Sequence, residues 1–464
     1  MRRTAFLLLA LISLAWTALA ATRPRYGGTL RVAMQSAPTT LQLPSLDNPT
    51  DYYDLTRVLS LVGDTLVKVD AEDKPALALA TAWQSDSAAR HWQFTLRHGI
   101  KFHDGSAASA SAITQILGIL HSDWTVRASG DSLTIDTENP APWLLAELAM
   151  PRNLILTHNA NNVPVGTGPF RVVEFQPAKM LRLAANDESW AGRPFLDTVE
   201  IELGRSLRDQ SVAFELGRVD VIETEPQATS ASMRIGGSAW LPVELMALVF
   251  TKNSKAQDVR LRQALALSID RKPIQSFLLK GSAEPAACIL PNWMTGYSAA
   301  FSTQVNVQRA KALLAELRQP QLTLGYDPRD PQAQLIAERI ALNARDAGIT
   351  VQVSLSGPDD IRLVRIALPS PDPALALSEV ARQLSLPELA PRGNTAEELY
   401  RAERALLDSM DVIPLFHLAT PSAAGPRVRG WAPDQLGFWN VPDLWLENGL
   451  DSGGRDNPRR EASR

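Results

Sequence analysis

From Leu322 to Leu355 the chain reads strand, helix, strand, and this order constrains the fold more than any other feature. Pro331 to Ala347 is a long helical stretch ending at Gly348, a residue suited to the left-handed position after a helix, and Ile349 to Leu355 follows as a strand. A helix carried between two strands is the mark of an α/β lobe. Similar text recurs. Gly28 to Met34 reads as an opening strand entered through Gly27-Gly28, Tyr52 to Leu61 as a helix, and Thr198 to Leu203 as a strand. Leu207 to Leu216 is helical, Val219 to Ile222 a short buried strand, and Leu245 to Phe250 an apolar strand. Asp258 to Ile269 is a strong helix with an acid at its positive end, and Pro273 opens another. Ala310, Leu313, Leu314 and Leu317 have helical spacing, Glu397 to Leu407 is helical, and Val412 to Phe416 is a buried strand.

Four hundred and sixty-four residues exceed what one hydrophobic core organises, so two or three domains are expected. With 45% apolar and 21% charged residues the composition is that of a globular chain. Met1 to Ala20 reads as a cleaved secretory leader: Arg2 and Arg3, an apolar run from Ala5 to Trp16, and an A-x-A site at Ala18-Leu19-Ala20. No cysteine follows the site, so a periplasmic protein without a lipid anchor is expected. Removing the leader leaves 44 basic and 50 acidic side chains, a formal −6 that argues against nucleic acid as a partner. Cys288 is the lone cysteine, which excludes an internal disulfide and points to packing. The tail from Asp451, with Gly453-Gly454 and four arginines, reads as disordered coil.

Trp92 to Gly105 (WQFTLRHGIKFHDG) alternates, turns, and alternates again to a tight Asp-Gly turn, which predicts a hairpin; Trp124 to Asp136 predicts a second, turning at Gly130-Asp131. Gly166-Thr167-Gly168 lacks the third glycine of a phosphate cradle, and Pro169 removes an amide donor, so a sharp connection between domains is the better reading. Six histidines are scattered: His98 and His103 lie five apart without helical pairing, and no metal site is predicted. No catalytic motif is present, and the acids Glu223 and Glu225 read as solvent-facing at a strand end.

Several segments in order resemble the extracellular solute-binding proteins of family 5, the peptide- and nickel-type binding components of ABC importers. They are Tyr26-Gly27-Gly28-Thr29-Leu30, the text around Trp92 to Gly105, Gly166 to Phe170, Trp190 to Asp197, Asp258 to Leu265 with Ile269-Asp270-Arg271, Ala347-Gly348-Ile349 with Val351, and Val412 to His417. The resemblance implies a two-lobed α/β binding-protein fold (type II, cluster C) with an inserted subdomain. The implied division is leader 1–20, lobe I from 22–48, 165–242 and 429–450, subdomain 49–164, lobe II 243–428, and tail 451–464. Two crossing strands would permit hinge closure on a ligand. The chain departs from the family at Leu41-Gln42-Leu43-Pro44, which lacks an aspartate, between Pro373 and Thr395, which is short, and at Leu368-Pro369-Ser370-Pro371, which lacks an aromatic.

In peptide-binding relatives an Asp-Pro pair anchors the ligand's amino group, and Asp372-Pro373 matches it; otherwise the pair is a turn. Gln35 and Ser36 are candidates for gripping a peptide backbone from lobe I. Arg365 would meet a ligand carboxylate or form a salt bridge, and Trp431 and Trp439 face ligand or core. The expected function is capture of a short peptide by a monomeric periplasmic protein that delivers it to an inner-membrane ABC permease, with no catalysis and no cofactor. The alternatives are another small solute such as a metal chelate or oligosaccharide, a sensory binding protein, and lastly a secreted hydrolase.

Overall fold

The computed structural model describes residues 23–42, 52–70, 72–224, 241–281, 283–317, 321–330, 332–355, 359–387, 393–419 and 421–447. The leader, the tail and Glu225 lie outside them.

Two six-stranded sheets organise the chain, and each owes its burial to helices on its faces. The first runs Phe170–Gln176, Met180–Ala185, Thr198–Glu202, Thr29–Ala33, Val221–Glu223, Ser422–Ala424. Thr29–Ala33 lies parallel to both neighbours, with Leu30 opposite Val199 and Val32 opposite Val221. The Leu207–Glu215 helix carries the chain between the flanking parallel strands, and Ser206 caps it by accepting from the Asp209 amide at 3.1 Å. Ser422–Ala424, within the span 243–428 expected for lobe II, pairs here with Val221–Glu223.

The second sheet runs Ala283–Pro285, Val412–Leu418, Glu244–Phe250, Ile361–Ala367, Leu322–Gly325, Val351–Ser354. Val412–Leu418 is buried at every position, because helices cover both faces and no residue of the strand can face water. Pro414 has no amide to donate, and the ladder slips beside it: Met246 pairs with Phe416 but Ala247 with Pro414, leaving Leu415 as the bulged residue. The predicted Leu322–Leu355 unit is present, with Leu322–Gly325 parallel to Val351–Ser354 around the Ala333–Asp346 helix. Asp258 accepts from the Arg260 amide and starts the Val259–Ser268 helix as expected.

A four-stranded antiparallel sheet, Ala80–Ser85, His91–Leu96, Ser132–Thr137, Trp124–Ser129, forms the core of the smaller part. The 124–136 hairpin forms as predicted. The 92–105 hairpin does not. His91–Leu96 already has a neighbour on each edge, so 97–105 folds back as a tight loop instead, and Phe102 donates its amide to the Ser106 carbonyl at 2.8 Å. Ile100 and Phe102 still enter the core beside Phe94, Ile113 and Leu117, and each such side chain contributes about 1.5–3 kcal/mol.

Gly166-Thr167-Gly168 is a close approach of two backbones. The Gly168 amide donates to the Val62 carbonyl at 2.9 Å, and His103 grips the other side, donating to the Gly168 carbonyl at 3.0 Å and accepting from the Gly166 amide at 3.3 Å. Thr167 and Trp190 both donate to Asp64, at 2.8 and 2.9 Å.

Between the sheets the Thr224 amide donates to the Pro421 carbonyl and the Val243 amide to the Leu418 carbonyl, both at 2.9 Å.

In the second lobe a buried acid and a buried histidine share one loop. Glu403 accepts from the Leu290 amide at 2.8 Å and from that of Ile289, while His417 donates to the Ile289 carbonyl at 3.0 Å. Burial pushes the Glu403 carboxyl up from 4.5 to about 7 and the His417 imidazole down from 6.5 to about 4. Between 4.5 and about 7 the native Glu403 keeps a proton that the unfolded chain has lost, so its contribution to stability falls as pH rises. Between 6.5 and about 4 the unfolded His417 takes a proton that the native one refuses, so its contribution falls as pH drops. These slopes oppose each other, each at up to about 1.4 kcal/mol per pH unit. Glu403→Gln should therefore expose a loss of stability on acidification below 6.5, and His417→Gln a loss on raising pH above 4.5. Urea midpoints across this range check both; variants whose profiles match the parent's contradict the pairing. Cys288 nearby is buried with its thiol pushed up to about 12, in keeping with packing.

Candidate functional site

Thr29–Ala33 and Val221–Glu223 run parallel and end side by side, so Gln35, Ser36, Glu223 and Thr224 gather at one carboxyl edge. In open α/β sheets the crevice beyond the carboxyl ends of the strands is where ligands bind, because backbone and side-chain groups there are not consumed by the ladder.

Glu223 is the hub. It accepts from the Gln35 amide at 2.6 Å, from Gln210 Nε2 at 3.2 Å and from Arg57 at 3.4 Å, while its own amide donates to Gln210 Oε1 at 2.9 Å. The expectation of a solvent-facing acid was wrong: Glu223 is buried, and desolvation, followed by repulsion from Asp54, raises its pKa against the pull of Arg57. Arg57 lies on the Tyr52–Leu59 helix, is buried, and also pairs with Asp54. Its guanidinium lies 4.8 Å from the centre of the Trp439 ring, a cation–π contact. Trp439 packs 5.8 Å from Trp431, whose Nε1 donates to Ser422, the cross-strand partner of Glu223, at 3.1 Å.

Ser36 Oγ, Thr224 Oγ1 and Trp439 Nε1 are buried in this neighbourhood without a hydrogen-bond partner among the described residues. Trp439 as a whole is only 7% exposed. A buried group left without a partner costs about 1–3 kcal/mol, so three together need a reason.

The Tyr52–Leu59 helix packs against the Ile361–Ala367 strand of the second sheet, which brings Arg365 to the same junction. Arg365 is held by Glu244 and, at 3.5 Å, by Asp330. Burial alone would lower its pKa; Glu244, Asp330 and the charge of Asp54 on the Tyr52–Leu59 helix outweigh it and raise it. Arg365 therefore forms the salt bridge that the sequence left as one of two readings, and each arginine of the junction is paired with two acids.

Asp372 stands at a helix start. It caps the Pro373–Gln383 helix, with Pro373 at the first helical position: Oδ1 accepts from the Leu375 amide at 3.0 Å and Oδ2 from Asn394 at 2.7 Å. The pair is therefore a helix start and not a solvated turn, and none of the hydrogen bonds of Asp372 reaches the Glu223 network. Gln35, Ser36, Trp431 and Trp439 do come together around that network. Arg57, Asp54, Glu223 and Thr224 were missed. A helical arginine gives no sequence signal of burial, and the only clue to Glu223 was its place at the end of the apolar Val219–Ile222 run.

A family model described as bacterial extracellular solute-binding proteins, family 5 Middle, matches residues 74–364. The nickel-binding protein NikA of Staphylococcus aureus is 25% identical over 326 residues, covering 64% of this chain and 65% of the relative. The oligopeptide-binding protein AppA of Bacillus subtilis is 23% identical over 332 residues, covering 63% and 60%. These matches span slightly less than two thirds of the relatives' length. The solved structure of AppA in complex with a nonapeptide superimposes with a TM-score of 0.75 at 18% identity, covering 92% of this chain and 100% of that one. A dipeptide-binding protein of Pseudoalteromonas sp. SM9913 in complex with Met-Leu gives 0.75 at 18% identity, covering 90% and 100%. The superpositions establish the two-lobed α/β fold.

Proposed function

Because the chain belongs to the bacterial extracellular solute-binding proteins of family 5, we propose that it captures a short peptide between its lobes in the periplasm and hands it, as a monomer, to an inner-membrane ABC permease. Lobe I in this reading is 22–48, 165–242 and the return segment, extended by Ser422–Ala424; the subdomain is 49–164 and lobe II begins at 243. The observation that carries the proposal is the trio of unpartnered atoms at the carboxyl edge. An indole N–H can only donate, and Ser36 and Thr224 can donate as well, so the edge asks for acceptors. A peptide backbone offers a row of carbonyl acceptors, and an extended peptide gripped through its main chain is held with little side-chain selectivity. AppA and the Pseudoalteromonas protein support a peptide, being solved with peptides bound. No chemistry is assigned to the site: closure is the event, and docking its output.

Native mass spectrometry of protein purified without refolding tests the ligand class. A ladder of peptide masses is expected; a metal–chelate mass would replace the peptide reading with the chelate one. Trp439→Phe removes the N–H together with part of the ring, and should weaken binding of di- to nonapeptides roughly three- to tenfold by calorimetry. Equal affinities would take Trp439 out of the site. Labelled peptides should be recovered uncut after incubation; cleavage products would make the protein a hydrolase.

A further inference from the structure

The subdomain and the second lobe are joined by a run of buried charges away from the Glu223 site. Glu147, on the Leu144–Leu148 helix, and Glu379, on the Pro373–Gln383 helix, are 1% and 3% exposed, and Arg152 pairs with both. Arg152 Nε donates to Glu147 Oε1 at 2.7 Å, and Nη1 reaches Glu379 across 227 positions of sequence. The run continues at each end. Asn153 donates to Glu147 at 3.0 Å and contacts His121 at 2.6 Å; Arg382 and Gln383 donate to Glu379 at 2.8 and 3.1 Å. A second tether is separate from this run: Gln435 donates to Asp73 of the subdomain at 3.2 Å, while its neighbours Leu436 and Phe438 pack into the second lobe's core.

We propose that Arg152 is a positioning residue for closure, an ionic latch that holds the subdomain against the second lobe. Two carboxylates that are almost dry face each other through one guanidinium. The closed contact is stable only while that fork is in place, because an uncompensated buried charge is far costlier than a hydrated one. When the lobes part, Glu147 keeps Arg152 and Glu379 keeps Arg382, so the open state leaves neither acid bare. Arg152 thus acts on the open–closed balance rather than on the fold of either part. The consequence for ligand capture rests on the binding reading above; the latch itself does not.

The full-length chain without ligand tests it. Spin labels at Ile119→Cys and Phe277→Cys, both strongly exposed, report the distance between subdomain and second lobe by pulsed electron spin resonance; buried Cys288 stays unlabelled. The parent should show a population at the bridged distance. Arg152→Ala and, independently, the shape-conserving Glu379→Gln should each cut that population by about fivefold, and the double variant little further. Arg152→Lys, with a charge but no fork, should keep more of it than alanine does. Distance distributions that superimpose on the parent's in both single variants overturn the latch, including the case where only melting temperature falls. Failure of the parent to bind any peptide would sink the binding reading alone.

Discussion

Replacing Glu223 by alanine should destabilise the first lobe by about 3–5 kcal/mol, the cost of breaking a buried pair by removing one partner. The variant takes one buried carboxylate away from Arg57, strips the Gln35 amide of its acceptor, and leaves the Gln210 side chain with only the Arg205 carbonyl of its two acceptors. Denaturant unfolding followed by tryptophan emission reads this directly, since Trp431 and Trp439 sit on the affected network. Binding should fail as well, because Arg57 is what the Trp439 ring rests against. Glu223→Gln retains an acceptor for the Gln35 amide and, with the carboxyl's pKa already raised by burial, should cost less than half as much. An alanine variant that unfolds at the parent's denaturant concentration would falsify the hub role.

Gly166→Ala should cost about 3 kcal/mol, at the upper end of what overpacking does. A Cβ added at Gly166 would lie 2.1 Å from the Val62 carbonyl oxygen and 2.7 Å from its carbon. Both obstacles are backbone, so no side chain can swing away to relieve them. The chain must instead part where Gly168 and Phe170 donate to Val62 and Leu61 at 2.9 and 3.0 Å, loosening the join between first lobe and subdomain. Gly118→Ala is the control. It lies inside the Ala110–Leu120 helix with open space around the added atom, and should stabilise by up to about 1 kcal/mol. Thermal melts that rank the two the other way round would refute the close-approach account.

Some errors of the sequence reading share one cause. Trp92 to Gly105 looks like a hairpin because alternation records which face of a strand is buried, not which strand lies beside it. His91–Leu96 found its partners at 80–85 and 132–137, and the second half had no edge left. Asp372-Pro373 reads as a turn although Asp-Pro is equally a good helix start, and the Ala374–Gln383 run after it is rich in helix formers. Glu223 looks solvent-facing because the three groups that neutralise and bind it come from residues 35, 57 and 210.

Local sequence determined what local forces determine here: the strand–helix–strand unit from Leu322, the Asp258 cap, the buried Val412–Leu418 strand and the family segments in their order. These follow from apolar spacing, capping groups and glycine placement within a turn or two of chain. Only the tertiary structure decided which edges pair, that Ser422–Ala424 returns to the first sheet, and that Arg57, Glu223 and Trp439 meet. Burial of a charge becomes tolerable only when its partners arrive from distant segments, and no pattern along one stretch of chain carries that information.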